Sequence, residues 1–571
     1  MRFAAVAIDY DGTLAKDGIV HPATVTALEQ LIASGRKFIL VTGRVLGELL
    51  ALFPQAHLCS RIVAENGAVL YRPAAREQRL LGEPPPLLLI EALQRKGVTP
   101  LQVGDSIVAT VRPHEVSVLE AIRDLGLEHH VVFNRESVMV LSPGVNKATG
   151  LKAALTELQL SLHNVVGIGD SENDHALLQA SELAVAVGSA VPTLRDAADL
   201  VTKEENGTGT AEVLSSLIAD DLADQAARMT RHLIPLGSAD GSAVAMSPAG
   251  DNLLIAGSSG SGKSTLAQGI LERLTDRGYQ VCIIDPEGDY ESIDKTIVFG
   301  NAQRGPTVAE ILTALDNPDA QVVVNLVGLP LKDRPPFFQD LLPHLQERRA
   351  KIGRPHRILI DETHHLMPPT WQPAQEVNRH MSGMLFVTVH PEQVSPMVLR
   401  MVDIAVALGD QPGRTLQAYA EHAGLSFDDP RLPELEAGEA VAWRAKTGLP
   451  PAIFLIAPSR TERRRHRRKY AEGELPPERS FYFRGPDAKL NLRAQNLIVF
   501  RQLADGVDDA TWLHHLRQRD YSRWIETAIK DPALARTIHE IEADMSLSAD
   551  VSRRQVAKAI EERYTLPAVG A

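Results

Sequence analysis

Residues 7–14 read AIDYDGTL, and they continue an apolar run that begins at Phe3. A short apolar run of this kind is typical of a buried strand, and here it ends in two aspartates, Asp9 and Asp11. Side chains i and i+2 leave a strand on the same side, so the two carboxylates are expected to face one cavity. Such a pair can divide the work of phosphoryl transfer: Asp9 attacks phosphorus, and Asp11 protonates the leaving oxygen and later activates water.

Three later loops fit the same chemistry. KFILVTGR (37–44) ends an apolar strand in Thr42 and Gly43, whose hydroxyl and backbone amide can hold a phosphate oxygen. GVNKATGL (144–151) puts Lys147 at the start of a helix, where a cation can neutralise charge that builds in the transition state. NVVGIGDSENDHALL (164–178) supplies Asp170 and Asp174, which together with Asp9 offer the oxygen ligands that Mg²⁺ prefers.

The order of these patterns predicts the architecture. Over the first 218 or so residues, short β-branched runs alternate with helical patterns, which predicts a parallel sheet between helices. From about 84 to 143 the rhythm changes to helix, strands, helix, strands, as expected for an inserted α+β cap. The segment 234–252 is rich in Gly, Ser and Pro and is interpreted as a separator before a second α/β domain at 230–457, and 470–571 is predicted to be helical.

DYDGTL, VTGR, GVNK and GDSEND, in that order, with AENGA at 64–68, resemble the four motifs of the haloacid dehalogenase superfamily in its Cof-like branch. The resemblance implies a Rossmann-like core and a Mg²⁺-dependent phosphatase that works through an aspartyl phosphate. It also implies that the backbone carbonyl of Asp11 binds the metal and that Asn173 and Gly43 lie near the substrate phosphate. The short cap resembles that of phosphatases acting on phosphoglycolate or small sugar phosphates.

A second phosphate-binding pattern lies at 257–265, GSSGSGKST, directly after the apolar strand LLIA. It fits the P-loop pattern, in which backbone amides cradle the β-phosphate of ATP, Lys263 reaches the β and γ oxygens and Ser264 binds Mg²⁺. The predicted nucleotide-binding residues are Gly257, Gly260, Ser261, Gly262, Lys263, Ser264 and Thr265.

The partner of this loop is predicted at RILIDETHHL (357–366). Asp361 ends a buried strand and would bind the Mg²⁺ of the nucleotide through water, and Glu362 would polarise the water that attacks ATP. A kinase has no need of the second acid, so the pair favours ATP hydrolysis. His364 and His365 are interpreted as packing residues of a helix start rather than as metal ligands.

The series LLIAGSSGSGKST, IIDPEGDY, ILIDETHHL and VTVHPEQVSP resembles the HerA/FtsK-like P-loop ATPases. The resemblance implies a hexameric ring that moves DNA or polypeptide, with an arginine from the neighbouring subunit completing the site; Arg400 and Arg414 are the candidates. Where that family tends to place a polar sensor, this chain has Thr388, Val389 and His390, so sensing by Thr388 or His390 stays open, and DNA translocation is in doubt.

The bulk composition sets limits on the function. The chain has 571 residues, 59 basic and 72 acidic side chains and a formal charge of -13, which argues against a surface uniformly built for nucleic acid. Its two cysteines, Cys59 and Cys282, show no metal-binding or disulfide spacing, and we expect a reduced cytoplasmic setting without a membrane span. RTERRRHRRK (460–469) is a candidate contact for nucleic acid, although such runs are more often solvated linkers.

Two functions therefore compete. The first is a bifunctional enzyme, a Mg²⁺-dependent phosphomonoester phosphatase fused to an ATP-hydrolysing domain. The alternative is a hexameric nucleic-acid motor with an accessory phosphatase that acts in DNA processing or phage defence. A third hypothesis makes the P-loop a regulatory ATP sensor with little turnover.

Trp512, Leu513, Leu516 and Trp524 have near-helical spacing and are predicted to be core residues of the C-terminal region.

Overall fold

The computed structural model describes residues 1–571 except 259, 292, 294, 372–381, 428–431, 461–474, 476, 530 and 565–571. The chain forms two compact units, Met1–Pro458 and Ser459–Ala571. Along the chain, a first α/β region is followed by a second α/β region and then by a mainly helical region, in the order that the sequence predicts. The fold class, an α/β Rossmann-like core with an inserted α+β cap, a P-loop α/β domain and a helical C-terminal region, is confirmed.

The first region is built on an eight-stranded sheet and a four-stranded cap sheet. Its strands are β1 (Ala5–Asp9), β2 (Lys37–Val41), β3 (Arg61–Ala64), β4 (Val69–Arg72), β5 (Glu77–Leu80), β6 (Gln102–Val103), β7 (Ile107–Val111), β8 (His130–Asn134), β9 (Ser137–Leu141), β10 (Val165–Gly169), β11 (Leu183–Ala186) and β12 (Leu200–Val201). Its helices are α1 (Pro22–Ala33), α2 (Leu46–Leu52), α3 (Leu87–Arg95), α4 (Glu115–Asp124), α5 (Lys147–Leu158), α6 (His175–Ala180), α7 (Pro192–Ala197), α8 (Asn206–Asp220) and α9 (Ala223–Arg228).

The main sheet has the order β12-β11-β10-β1-β2-β3-β4-β5, and the cap sheet has the order β6-β7-β9-β8. All five residues of β1 are buried, and β1 pairs in parallel with both β2 and β10. Continuous apolar strands of this kind are typical of a parallel sheet covered on both faces. Because parallel strands end at one edge, the loops after β1, β2 and β10 come together there.

The second region is built on an eleven-stranded sheet. Its strands are β13 (Ile234–Ala239), β14 (Ser242–Met246), β15 (Leu253–Gly257), β16 (Val281–Asp285), β17 (Thr296–Phe299), β18 (Gln321–Asn325), β19 (Arg357–Ile360), β20 (Met384–Thr388), β21 (Ile404–Leu408), β22 (Glu439–Trp443) and β23 (Ala452–Ile456). Its helices are α10 (Lys263–Asp276), α11 (Val308–Ala314), α12 (Arg334–Ile352), α13 (Thr363–Leu366), α14 (Pro396–Met401) and α15 (Pro412–Ala423).

The interpretation of 234–252 as a separator is wrong. Most of this segment forms the hairpin β13–β14, and β13 also pairs with β23, which lies more than two hundred residues later in the sequence. The strand order β14-β13-β23-β22-β21-β15-β20-β19-β16-β18-β17 puts the hairpin at one edge of the sheet. It also puts β20 between β15 and β19, so Thr388, at the end of β20, lies between the strand of the P-loop and the strand of Asp361.

The two α/β regions contact each other at the amino ends of their strands. His163 lies just before β10, and its Nδ1 is 2.8 Å from Glu182 Oε2. Tyr279, which lies just before β16, donates its hydroxyl to the same oxygen over 2.8 Å, and its ring stacks on His163 at 3.7 Å. Glu182 is fully buried, and Arg2 completes its hydrogen bonds over 2.7 Å.

A second set of contacts joins the same two surfaces. His356, directly before β19, accepts from the backbone N–H of Gln280 over 2.8 Å, and its Nε2 lies 3.2 Å from Asn164 Oδ1. Arg354 is fully buried and donates to the carbonyl of Gln159 over 2.6 Å. The contact is therefore a buried polar interface rather than a flexible tether.

The unit Ser459–Ala571 is mainly helical. Its strands are β24 (Phe481–Phe483) and β25 (Leu492–Ala494), and its helices are α16 (Leu497–Gly506), α17 (Asp509–Arg517), α18 (Asp520–Trp524), α19 (Pro532–Ala543) and α20 (Ala549–Tyr564), with a π-helical turn at Ile525–Ile529. Trp512, Leu516 and Trp524 are buried and Leu513 is partly buried against the same cluster, as the spacing predicts. Among the helices of the described residues, none is long and apolar enough to cross a membrane.

Candidate functional sites

The first site lies where β1 and β10 end. Asp9 is 4% exposed, and its Oδ1 accepts from Lys147 Nζ over 2.6 Å. The same ammonium donates to Asp174 Oδ1 over 2.6 Å, so Lys147 joins the loop after β1 to the loop after β10. Lys147 is fully buried, which makes these ion pairs inaccessible to solvent.

The local sequence explains why Lys147 points into the site. Asn146 is the N-cap of α5 and accepts from the backbone N–H of Thr149, while the Thr149 hydroxyl accepts from the N–H of Asn146. This reciprocal pair fixes the first turn of the helix. Lys147 is the first residue of that turn.

Asp170 completes the acidic group. It is fully buried and accepts from the hydroxyls of Thr13, over 3.0 Å, and Ser171, over 2.9 Å. Gly12 has φ +78, and a Cβ placed on it would lie 2.3 Å from Asp170 Oδ2, so only glycine allows this approach. Thr13 and Gly12 therefore support a carboxylate.

Asp9, Asp170 and Asp174 each offer a carboxylate oxygen within 4.8 Å of the others. Three carboxylates with the Lys147 ammonium and the Arg135 guanidinium leave a formal charge of -1 when all are ionised, and oxygen donors of this kind suit Mg²⁺. Burial raises the pKa of Asp9 well above its ordinary value, and Asp174 adds to the rise. Burial opposes the charge on Lys147, but Asp174 and Asp9 more than offset it and raise its pKa.

Asp11 lies apart from this group. Its two oxygens accept from Nε and Nη2 of Arg44, both over 2.7 Å, and its side chain is 37% exposed. Thr42 is fully buried, and its hydroxyl accepts from the backbone N–H of Arg44 over 3.1 Å. The expectation that Asp9 and Asp11 face one cavity as a pair is thus met only in part, since Arg44 holds the second carboxylate.

Asn173 donates from Nδ2 to Asn66 Oδ1 over 3.1 Å, and its own buried Oδ1 has no hydrogen-bond partner among the described residues. Its Nδ2 would lie 3.6 Å from a Cβ placed on Gly43, so these two predicted phosphate-binding residues are neighbours. An unpaired buried acceptor beside an amide-rich loop leaves room for a polar ligand.

Two contacts between cap and core are absent from the sequence analysis. Glu65 is fully buried and accepts from the backbone N–H groups of Ser106, over 2.7 Å, and Asp105, over 3.1 Å. Arg135, at the tip of the cap hairpin β8–β9, donates to Asp170 Oδ2. The motif AENGA pointed to the first of these residues, whereas no local pattern marks the second.

The second site lies at the end of β15. Lys263 is 8% exposed, and its Nζ donates to the carbonyls of Gly257 and Ser258, each over 2.9 Å. Gly262 has φ +97 and precedes the first residue of α10, a conformation that L side chains rarely adopt. The buried hydroxyl of Ser261 has no partner in the part of the chain that the structure describes.

The other predicted residues of this loop share its position. Gly260 also has a positive φ of +79, and Ser264 and Thr265 occupy the first turn of α10. The loop therefore offers the amino end of a helix, the Ser261 hydroxyl, which is unpaired among the described residues, and the Lys263 ammonium. Together these groups suit the phosphates of a nucleotide.

Asp361 and Glu362 end β19. Asp361 is 4% exposed, and burial raises its pKa to about 7. Burial also raises the pKa of Glu362, while the nearby Lys263 ammonium opposes the rise. The two charged groups therefore lie close enough to interact. Glu362 has φ +43, a conformation that is costly for a non-glycine residue and typical of functional positions.

His364 connects Glu362 to the proposed sensor strand. Its Nδ1 lies 3.1 Å from the Thr388 hydroxyl and 3.4 Å from Glu362 Oε2. Burial lowers the pKa of His364 to about 4, so the imidazole is neutral. His390 lies 2.9 Å from Glu392, donates its backbone N–H to the Thr388 hydroxyl over 3.1 Å and packs edge-on against His364, so both sensor candidates contact the residues around Glu362.

The remaining candidates lie elsewhere. Arg400 and Arg414 are both exposed, and Arg414 donates to Gln411 over 2.9 Å. Nearly all of the basic run 460–469 lies outside the described residues. The two cysteines are free and buried.

The first site is an acidic group around a buried lysine at the carboxyl edge of a parallel sheet. Residues 6–82 and 107–214 match the family described as haloacid dehalogenase-like hydrolase, and residues 250–348 match the central domain of the helicase HerA. The chain belongs to the haloacid dehalogenase-like hydrolases and carries a HerA-type domain in addition.

Relatives of the first region are phosphatases by name. A phosphoglycolate phosphatase of Methanothermobacter thermautotrophicus is 32% identical over 219 residues, 37% of this chain and 96% of that protein. Phosphoglycolate phosphatase 2 of Saccharolobus solfataricus is 29% identical over 224 residues, 38% of this chain and 92% of that protein. A crystal structure of a haloacid dehalogenase-like hydrolase from Bacteroides thetaiotaomicron is 17% identical, with a TM-score of 0.34 over 38% of this chain and 99% of that chain.

Proposed function

We propose that residues 1–218, with a cap at about 84–143, form a Mg²⁺-dependent phosphomonoester phosphatase, and that residues 230–457 bind and hydrolyse ATP. The C-terminal domain at 470–571 carries no proposed chemistry. The observation that carries the first part is the Lys147 ammonium, 2.6 Å from both Asp9 and Asp174. A buried cation between a nucleophile and a metal-binding carboxylate suits a centre that receives a phosphoryl dianion.

In the proposed reaction an oxygen of Asp9 attacks phosphorus, the bond from phosphorus to the alcohol oxygen breaks, and Asp11 gives its proton to that oxygen. In the second step Asp11 takes a proton from water, the hydroxide oxygen bonds to phosphorus, and the bond to Asp9 breaks. Arg44 pairs with Asp11 over 2.7 Å, so Asp11 would have to separate from Arg44 to reach the leaving oxygen. Thr42, Gly43 and Asn173 would hold the phosphate oxygens.

Mg²⁺ would be held by Asp9, Asp170, Asp174 and the backbone carbonyl of Asp11. When bound, it would neutralise charge on the phosphoryl group. The substrate would be a small phosphorylated metabolite such as phosphoglycolate or a sugar phosphate. The names of the relatives support this choice, and so does the cap, whose Met139 Sδ would lie 3.3 Å from a Cβ on Gly43 and leaves little room above the loop.

The test is Asp9→Asn, which keeps the shape of the side chain and removes the nucleophile. Hydrolysis of phosphoglycolate and p-nitrophenyl phosphate in the presence of Mg²⁺ should fall at least about a thousandfold. The matched control is Asp17→Asn, at an exposed position eight residues on, which should stay near wild type. Activity that survives Asp9→Asn would remove this site from the proposal.

In the second site, Lys263 would bind the β- and γ-phosphates and Ser264 their Mg²⁺. Asp361 would bind the same ion through water, and Glu362 would polarise the attacking water. Lys263→Ala should abolish binding of a fluorescent ATP analogue. Glu362→Gln should keep that binding and lose turnover. If Glu362→Gln hydrolyses ATP at the wild-type rate, Glu362 is not the residue that activates water.

The match to the HerA central domain favours one alternative, a hexameric nucleic-acid motor in which the phosphatase is accessory. Arg400 or Arg414 would then complete the site of the neighbouring subunit. ATP hydrolysis with and without DNA, measured together with particle mass in the same buffer, separates the two. A ring-sized particle whose ATPase rises with DNA supports the motor, and a small particle indifferent to DNA supports the bifunctional enzyme.

A further inference from the structure

One turn of the cap reaches into the acidic site. Asn134 pairs with Ser137 across the hairpin β8–β9, so Arg135 and Glu136 form a two-residue turn. The Arg135 side chain is 54% exposed, yet its guanidinium contacts the fully buried Asp170. Its backbone N–H donates to Glu172 Oε2 over 3.2 Å, which holds the turn against the same loop.

The backbone at this position favours another residue. Arg135 has φ +51, and two-residue hairpin turns that need a positive φ usually use Gly, Asn or Asp. An arginine in this conformation is strained, and strained positions are enriched at functional sites.

The other cations near the site are already paired. Lys147 lies between Asp9 and Asp174, and Arg44 is held by Asp11 and by Glu48 over 2.5 Å. Among the described residues, the Arg135 guanidinium pairs with one carboxylate, Asp170, which is also a metal-binding candidate. A divalent ion on Asp170 would therefore take over its partner and leave the guanidinium facing the space between cap and core.

We propose that Arg135 is a specificity-determining residue that selects phosphate monoesters whose alcohol part carries a second anion, a carboxylate in the first instance. This inference rests on the proposed phosphatase function and deepens it. A guanidinium presents parallel N–H donors that match a carboxylate, which an uncharged leaving group does not offer. Met139, on the same hairpin, keeps the distance to the phosphate loop short, so the second anion belongs to a small molecule.

The experiment compares the full-length wild type with Arg135→Gln and Arg135→Lys. The measured quantity is the ratio of kcat/KM for 2-phosphoglycolate to kcat/KM for p-nitrophenyl phosphate. Arg135→Gln should lower this ratio about ten- to a hundredfold, the usual effect of losing hydrogen bonds to a charged group, and Arg135→Lys should restore part of it. The matched control is Arg112→Gln, since Arg112 is an exposed cap arginine that lies over the Phe133 ring, 5.6 Å from its centroid.

A second measurement does not depend on turnover. Because Arg135 competes with a cation for Asp170, Mg²⁺ titrated calorimetrically without substrate should bind Arg135→Gln about three- to tenfold more tightly than wild type. An unchanged ratio and an unchanged Mg²⁺ affinity in Arg135→Gln would overturn the inference while the phosphatase stands. A wild type that hydrolyses neither ester would overturn the proposed function and the inference with it, so the two failures are distinguishable.

Discussion

Replacing Lys147 by Met tests the buried ion-pair cluster directly. The change keeps the length of the side chain and removes the charge that pairs with Asp9 and Asp174, each at 2.6 Å and without solvent access. Removing one partner of a buried ion pair costs about 3–5 kcal/mol, because the other charge stays buried without compensation. Protection of the β1 amides against hydrogen exchange should therefore fall about a hundred- to several thousandfold at pH 7.5.

The cost should depend on pH and on metal. The folded-state pKa of Asp9 already lies above its ordinary value because of burial, and loss of Lys147 raises it further. A carboxyl whose folded pKa is raised contributes stability below its unfolded pKa and loses it as pH rises through the folded pKa. The destabilisation by Lys147→Met should accordingly shrink at pH 5.5, and Mg²⁺ should restore more protection to the variant than to the wild type.

Hydrogen exchange followed by mass spectrometry suits this test because it resolves β1 within a chain of several domains. Lys152→Met, an exposed lysine on the same helix, is the control and should leave β1 unchanged. If the β1 amides exchange as slowly in Lys147→Met as in Lys152→Met, the ion pairs of Lys147 do not stabilise the site.

Three further predictions follow from single contacts. Gly12→Ala places a Cβ 2.3 Å from the buried carboxylate of Asp170. Gly18 has the same φ within a degree, but a Cβ there would meet nothing within 4 Å, so Gly18→Ala is the control. Hydrogen exchange should show the first region about 1–3 kcal/mol less stable in Gly12→Ala than in Gly18→Ala. Burial raises the pKa of Asp361 to about 7, so binding of Mg²⁺–ATP at pH 6 should release close to one proton, and the affinity should fall as pH falls. Calorimetry in two buffers measures this proton release, and Asp361→Asn should abolish it. Tyr279→Phe removes a 2.8 Å hydrogen bond to the buried carboxylate of Glu182 and should weaken the contact between the two α/β regions by about 1.5–3 kcal/mol; exchange at the starts of β10 and β16 as slow as in wild type would contradict this.

The residues that the sequence located best are those at the ends of buried parallel strands. Asp9, Asp170 and Asp361 each follow a run of apolar residues, and the geometry of a parallel sheet brings such ends to one edge. Lys147 could be placed at a helix start for a similar reason, since the capping residues around it are local in sequence.

What the sequence could not show depends on contacts between distant segments. The hairpin β13–β14 is rich in Gly, Ser and Pro, and its partner β23 lies far along the chain, so composition alone indicated a separator. Arg135 donates to Asp170 only because the cap packs against the core, and Arg44 donates to Asp11 only because the loops after β1 and β2 are adjacent. Side-chain pairing across a docked surface leaves no periodicity in the sequence.

The interface formed by His163, Glu182, Tyr279 and His356 lies at the amino ends of both sheets, whereas both chemical centres lie at the carboxyl ends. Each centre is thus separated from the shared seam by a strand of four or five residues, about 13 to 17 Å. On the proposed function, phosphate esters and nucleotides would bind on opposite sides of this seam. Any influence of ATP on the proposed phosphatase would then have to pass through the side chains of that seam.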